Sequence, residues 1–202
     1  MKPIAWRGFY AILDPAECRT TPLETAEAIL RGGCAVLQLR DKRGDDRDTL
    51  ALARALRERC RAAQVPFVMN DRVDLALLSE ADGVHLGQED MPVEDARRIF
   101  GGAIGLSTHD LQQALAADAD LIGFGPVYDT TTKANPDPTV GLDALREVCG
   151  RVAVPVVAIG GLSVERAREV AATGARLGAA IGAVCRATDP AASARAMHGA
   201  WA

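Results

Sequence analysis

The stretch Cys34-Ala-Val-Leu-Gln-Leu-Arg-Asp-Lys42 decides the fold. It opens apolar and closes on charge. A strand running through it alternates sides, so Gln38, Arg40 and Lys42 share one face and leave a buried sheet at its tip. A short apolar run of this kind, preceded by Gly32-Gly33, marks a strand covered on both faces. The next segment, D-T-L-A-L-A-R-A-L-R-E-R-C-R-A-A (48–63), has helical period, with Leu50, Leu52, Ala53, Leu56 and Cys60 on one side.

The same unit recurs along the chain. Apolar runs fall at 9–13, 34–39, 66–69, 83–86, 103–106, 121–125, 154–159 and 177–181, and a segment of helical period follows each. Several helices are expected to stop at glycine, as at Gly32-Gly33, Gly101 and Gly174. Ser163 is the expected N-cap of the helix after the seventh strand, with Arg166 where a capping box would carry an acid. Eight strands alternating with eight helices predict an α/β fold, a (β/α)8 TIM barrel formed by residues 1–202 as one domain. A doubly wound open sheet is the structural alternative, but neither G-x-G-x-x-G nor G-x-x-x-x-G-K-[ST] occurs.

Composition narrows the function. Aromatic residues are only 4% of the 202, which argues against an immunoglobulin-like sandwich or a base-stacking RNA module. The net charge is −4 and no long basic run exists, so no nucleic-acid partner is expected. No apolar run reaches 18 residues, so no membrane partner is expected either. The five cysteines are widely spaced and three histidines are too few to complete a zinc site. Cys34, Cys149 and Cys185 read as buried thiols, and a reducing cytoplasm is the expected address. A homo-oligomer is among the assemblies the sequence allows.

Polar residues gather where the strands end. Gln38, Arg40 and Lys42 follow the second strand, Asn70 and Asp71 the third, and Gly87 to Asp90 the fourth. Ser107, Thr108 and His109 follow the fifth, Gly125, Pro126 and T-T-T-K (130–133) the sixth, Gly160-Gly161 the seventh, and Gly182 the eighth. All would lie at the C-terminal mouth of a barrel, where such enzymes keep their active sites, and nothing comparable is expected at the other end. Arg40, Lys42 and Lys133 offer cations, while Asp71 and Asp90 offer carboxylates. Together they suit a polyphosphate bridged to a divalent metal, and the late glycines suit a second phosphate. Single residues have plainer readings. Arg40 and Asp41 could be a rim ion pair, Asp71 an N-cap, T-T-T-K a solvated loop, His85 a satisfied barrel residue, His109 a base or a helix-start residue, and His198 a surface residue. Their joint placement on one face favours function.

Six motifs in register carry a resemblance: Q-L-R-D-K, M-N-D-R-V-D-L-A, G-V-H-L-G-Q-E-D, G-L-S-T-H, G-F-G-P-V-Y-D-T-T-T-K and A-I-G-G-L. In this order, from about Tyr10 to Pro190, the chain resembles the thiamine phosphate synthase family. The resemblance implies a TIM-barrel transferase. It would join 4-amino-5-hydroxymethyl-2-methylpyrimidine diphosphate to a thiazole phosphate, or its carboxylate form, with loss of diphosphate. The substitution would be dissociative, with one magnesium ion per active site. Gln38 and Ser107 would face the pyrimidine. Arg40, Lys42, Asn70 and Lys133 would hold the diphosphate, and Asp71 and Asp90 the metal. Thr130, Thr132, Gly161, Ile181 and Gly182 would hold the thiazole phosphate.

The chain departs from the family pattern at Gly182, where serine is usual, and at Asp129, where proline is common. The segment of the fifth helix is about three residues short, nearly one turn. The related thiazole tautomerases share the barrel but need neither diphosphate nor magnesium groups. A non-catalytic barrel that binds thiamine phosphates is the other alternative, and turnover would separate it.

Overall fold

The computed structural model describes residues 6–130 and 138–202. Eight strands, β1 (Gly8–Leu13), β2 (Val36–Leu39), β3 (Phe67–Asn70), β4 (Gly83–Leu86), β5 (Ala103–Thr108), β6 (Leu121–Phe124), β7 (Val156–Ile159) and β8 (Leu177–Ala180), form a closed parallel barrel in chain order. Closure comes from β1 pairing with β8, Tyr10 against Ala179. The helices are α1 (Pro22–Gly32), α2 (Asp46–Ala62), α3 (Val73–Leu78), α4 (Val93–Ile99), α5 (Leu111–Ala116), α6 (Gly141–Arg151), α7 (Ala167–Ala171), α8 (Gly182–Cys185) and α9 (Pro190–Gly199). A 3₁₀ turn, Pro15–Glu17, follows β1. Among the described residues, no helix is long and apolar enough to cross a membrane.

Alternation along each strand separates two cores. Phe9, Leu37, Leu39, Phe67, Met69, Leu86, Ile104 and Phe124 point outward under the helices. Tyr10, Ile12, Val36, Val68, Leu121, Val157 and Leu177 fill the barrel interior. Burying each of these side chains contributes about 1.5–3 kcal/mol. The C-terminal helix seals the join between β1 and β8. Trp201 packs against Gly178, where an added Cβ would lie 2.2 Å from its ring, and its indole N–H donates to the Ala175 carbonyl.

Several expectations change. His198 is not a plain surface residue: its Nδ1 accepts the Phe9 N–H at 3.2 Å and its ring lies against Gly8. Cys149 is half-buried, whereas Cys60 is buried with Cys34 and Cys185. Ser163 does not cap α7. Residues 164–166 form a turn first, and the Ser163 hydroxyl donates to Glu165 instead. The short α8 has no counterpart in the sequence reading.

The N-terminal end of the barrel is not bare. Asp82, just before β4, accepts the Phe67 N–H of β3 and an Arg57 N–H. Asp120, before β6, does the same with the Ile104 N–H of β5 and with Arg97. Each acid ties a strand start to a helix, which is a structural task.

Candidate active site

The C-terminal mouth is built from strand tips and the turns that leave them. Gln38 is buried on β2, faces inward, and forms a chain with its neighbours. Its Oε1 accepts the Tyr10 hydroxyl at 2.7 Å, and its Nε2 donates to Asn70 Oδ1 at 3.0 Å. Burial pushes the Tyr10 phenol well above its ordinary pKa, so it stays a neutral donor. Asn70 completes β3 rather than following it.

The strand geometry expected for Gln38-Leu-Arg-Asp-Lys42 holds only in part. β2 ends at Leu39, and Lys42 sits in the bend beyond it. Arg40 does not pair with Asp41. Its Nη1 donates at 2.5 Å to Asp14 Oδ2, a buried carboxylate at the tip of β1 whose Oδ1 accepts the Ala16 N–H. Asp41 instead accepts from the Gly44 N–H at 2.8 Å and from the Thr49 hydroxyl, closing its own loop. Asp14 and Tyr10 were missed in the sequence. The signal for Asp14 was its place directly after F-Y-A-I-L, equivalent to Arg40 after β2.

Asp71 does not cap α3. It adopts φ +60°, a left-handed conformation that aspartate tolerates better than most residues, and its N–H donates to the His85 carbonyl. Arg72 takes the N-cap position without a capping bond, its guanidinium going to Asp46 and Asp74 instead. The Asp71 carboxylate is thereby free of the helix and pairs with the Lys42 ammonium. Asp90 folds back through a 2.6 Å bond from the Gly87 N–H and lies beside Asp71. Burial raises the Asp71 pKa; the neighbouring Asp90 adds to this and Lys42 opposes it.

His85 lies in the interior layer of β4 with its Nε2 3.0 Å from Ser107 Oγ. Gly105 and Gly123 make room for it: a Cβ on Gly105 would stand 2.5 Å from the ring. Burial holds the imidazole pKa down at about 4, so it is neutral near pH 7. Ser107 and Thr108 belong to β5 itself. His109 Nδ1 sits 2.7 Å from the Gly125 carbonyl. A carbonyl only accepts, so that nitrogen carries the proton.

The far side of the mouth is backbone. Gly160 and Gly161 have φ of +97° and +63°. Ile181 and Gly182 open α8 at the tip of β8. Thr130 ends the described part of the β6 loop, and the Asp129 carboxylate accepts the Thr139 hydroxyl at 2.6 Å. Thr132 and Lys133 lie outside the described residues.

Barrel and mouth together define a (β/α)8 enzyme that handles phosphorylated small molecules. The family model for thiamine monophosphate synthase matches residues 9–184. A thiamine-phosphate synthase of Methanocella arvoryzae is 47% identical over 192 residues, covering 92% of this chain and 91% of that protein. One from Chloroflexus aurantiacus is 42% identical over 200 residues, 96% and 92% of the two chains. A solved thiamine phosphate pyrophosphorylase from Pyrococcus furiosus superposes with a TM-score of 0.90 at 34% identity, covering 98% of this chain and 96% of that one. The chain belongs to the thiamine monophosphate synthase family. Its activity is that of a transferase in thiamine biosynthesis, making thiamine phosphate from phosphorylated small molecules.

Proposed function

We propose that the mouth joins the pyrimidine diphosphate to the thiazole phosphate by a dissociative substitution. The bond from the pyrimidine methylene to diphosphate oxygen breaks first. The thiazole nitrogen then donates its electron pair to that carbon. The nitrogen carries no proton to remove, so no general base is needed, and His85 and His109 are left to structural bonds. The observation that supports this best is the adjacency of two surfaces. The neutral Tyr10–Gln38–Asn70 chain offers amide groups to a heterocycle. The Lys42–Asp71–Asp90 cluster beside it offers charge to a diphosphate.

Arg40 spends one donor on Asp14 and keeps others for phosphate oxygens. Lys42 and Asn70 would assist it, as would Lys133 from the β6 loop. Ser107, oriented by neutral His85, would meet the pyrimidine. Thr130, Thr132 and the backbone at Gly161, Ile181 and Gly182 would hold the thiazole phosphate.

The donor set fits one magnesium ion. Asp71 and Asp90 stand close enough for one to raise the other's pKa, and among the described residues no third His, Cys, Asp or Glu completes a cage. Magnesium is commonly held by one or two carboxylates, with substrate phosphate and water supplying the rest. Bound there, it would supply charge neutralisation to the departing diphosphate. Five unpaired thiols suit a reducing cytoplasm.

The test is a diphosphate-release assay with both substrates, magnesium and a chelator control. Equal amounts of diphosphate and thiamine phosphate, lost on chelation, are expected. Thiazole phosphate binding with no diphosphate release would overturn the reading.

A further inference from the structure

We propose that Arg166, Tyr128 and Glu169 form a positioning clamp that sets the affinity of the mouth for the thiazole phosphate; this rests on the placement of that phosphate near Thr130 and Gly161. None of the three lies among the residues assigned to substrate above. Two contacts join the loop after β6 to the segment after β7 and to α7, and a third ties Arg166 to the Gly161 turn itself. The Arg166 guanidinium lies over the Tyr128 ring, 4.3 Å from its centroid. Arg166 Nη1 donates to the Gly161 carbonyl at 2.7 Å. The Tyr128 hydroxyl donates to Glu169 Oε1 at 2.5 Å.

The backbone shows what the clamp holds. Val127 N–H donates to the Ile159 carbonyl at 2.8 Å and Tyr128 N–H to the Gly160 carbonyl at 3.1 Å, so the pairing of β6 with β7 runs on past both strands. Gly161 then turns with φ +63° and lies flat on this extension. A Cβ there would stand 2.5 Å from the Asp129 carbonyl oxygen and 2.8 Å from Tyr128 Cβ. The peptide unit is planar and trans, so fixing the Gly161 carbonyl also fixes the direction of the Leu162 N–H. Arg166 thus adds a side-chain restraint to a turn otherwise held by backbone bonds and by the buried Leu162 side chain, and Tyr128 stands two residues before Thr130. Burial, then Glu169, pushes the Tyr128 phenol up to about 12, so it remains a donor at working pH.

A purely structural role fits poorly. Arg166 and Glu169 are exposed. A cation–π contact and a hydrogen bond at such an exposed rim contribute little to global stability. Their effect therefore falls on the local turn.

The experiment compares Arg166→Met, Arg166→Lys, Tyr128→Phe and the Arg166→Met/Tyr128→Phe double variant by kcat, by both Michaelis constants and by melting temperature. Arg166→Met is expected to raise KM for thiazole phosphate roughly three- to tenfold, leaving KM for the pyrimidine diphosphate and the melting temperature unchanged. Arg166→Lys should recover part of the loss, since it keeps a cation over the ring. Tyr128→Phe keeps the ring and loses the Glu169 bond, so its defect should be smaller and non-additive with Arg166→Met. Unchanged constants, or equal shifts in both, would overturn the clamp. Thr130→Val separates the two levels of argument. If it raises the thiazole phosphate KM while Arg166→Met does not, the clamp alone fails. If Thr130→Val has no effect, the placement of the phosphate fails and the clamp with it.

Discussion

The two halves of the mouth are made differently. From β1 to β5, side chains face one another: Tyr10 with Gln38 and Asn70, Arg40 with Asp14, Lys42 with Asp71, His85 with Ser107. From β6 to β8, glycines at 160, 161 and 182 clear the way for backbone donors. On the function proposed above, the first half would neutralise charge that grows on a leaving group, which takes fixed cations and a metal. The second would grip a phosphate that does not change, largely through backbone N–H groups. Substitutions in the first half should therefore act on kcat and on KM for the pyrimidine diphosphate, and those in the second on KM for the thiazole phosphate.

The largest effect is expected at Asp71. Asp71→Asn keeps the size and the left-handed backbone but removes one of two carboxylates and the partner of Lys42. A metal contact is worth several kcal/mol of transition-state stabilisation, so kcat should fall about a hundred- to a thousandfold with the melting temperature unchanged. Steady-state kinetics over a magnesium series checks it. Undiminished turnover would remove Asp71 from the metal site.

His85 tests the interior of the same half through pH. Its pKa is about 4 in the fold and 6.5 when free. Between those values the unfolded chain takes up a proton that the folded barrel refuses, so stability is full above pH 6.5 and declines as pH falls. From pH 7 to pH 5 the loss should be about 2 kcal/mol, measured by urea unfolding. His85→Gln keeps a partner for Ser107 and should flatten that slope. An equal slope in the variant would mean that other groups cause it.

Asp14 tests whether Arg40 needs a buried anchor. In Asp14→Asn the carbonyl oxygen can still accept from the Ala16 N–H, but the charge facing Arg40 is gone. KM for the pyrimidine diphosphate should rise about tenfold, and KM for thiazole phosphate should not move. Matching changes in both would place Asp14 in the stability of the β1 tip alone.

The two halves also differed in how well the sequence showed them. All eight strands were visible, because each is a compact apolar run closed by glycine, proline or charge. Their ends were not. β3 and β5 continue into Asn70 and Ser107-Thr108, since an inward polar residue at a barrel tip still completes the ladder. The charged residues of the first half announced themselves by type. Asp14 did not, because its single acid beside Pro15 looks like any turn. α8 escaped because four small residues show no period, and the start of α7 shifted because residues 164–166 form a turn in which the Ser163 hydroxyl bonds the Glu165 carboxylate instead of capping the helix. Left-handed Asp71 was hidden by the cap its residue type equally suits, and the bond to the His85 carbonyl, supplied by the neighbouring strand, favours the other conformation.

Gly182 offers the smallest effect and the cleanest test of the contrast. The family pattern predicts serine at this position, so the thiazole phosphate site proposed above would act without that hydroxyl. Nothing steric forbids the side chain: a Cβ would meet only Arg186, with Cδ at 3.7 Å, an ordinary contact. Its φ is not left-handed, so serine would carry no backbone strain there. Gly182→Ser should therefore fold normally and add one hydroxyl donor to a site made of N–H groups. One such bond contributes about 1 kcal/mol, so KM for thiazole phosphate should fall about fivefold at unchanged kcat. An unchanged KM would mean that the backbone donors at Ile181, Gly182 and Gly161 already saturate the phosphate. The second half would then need no side chain at all at that turn, and the contrast with the first would be sharper still.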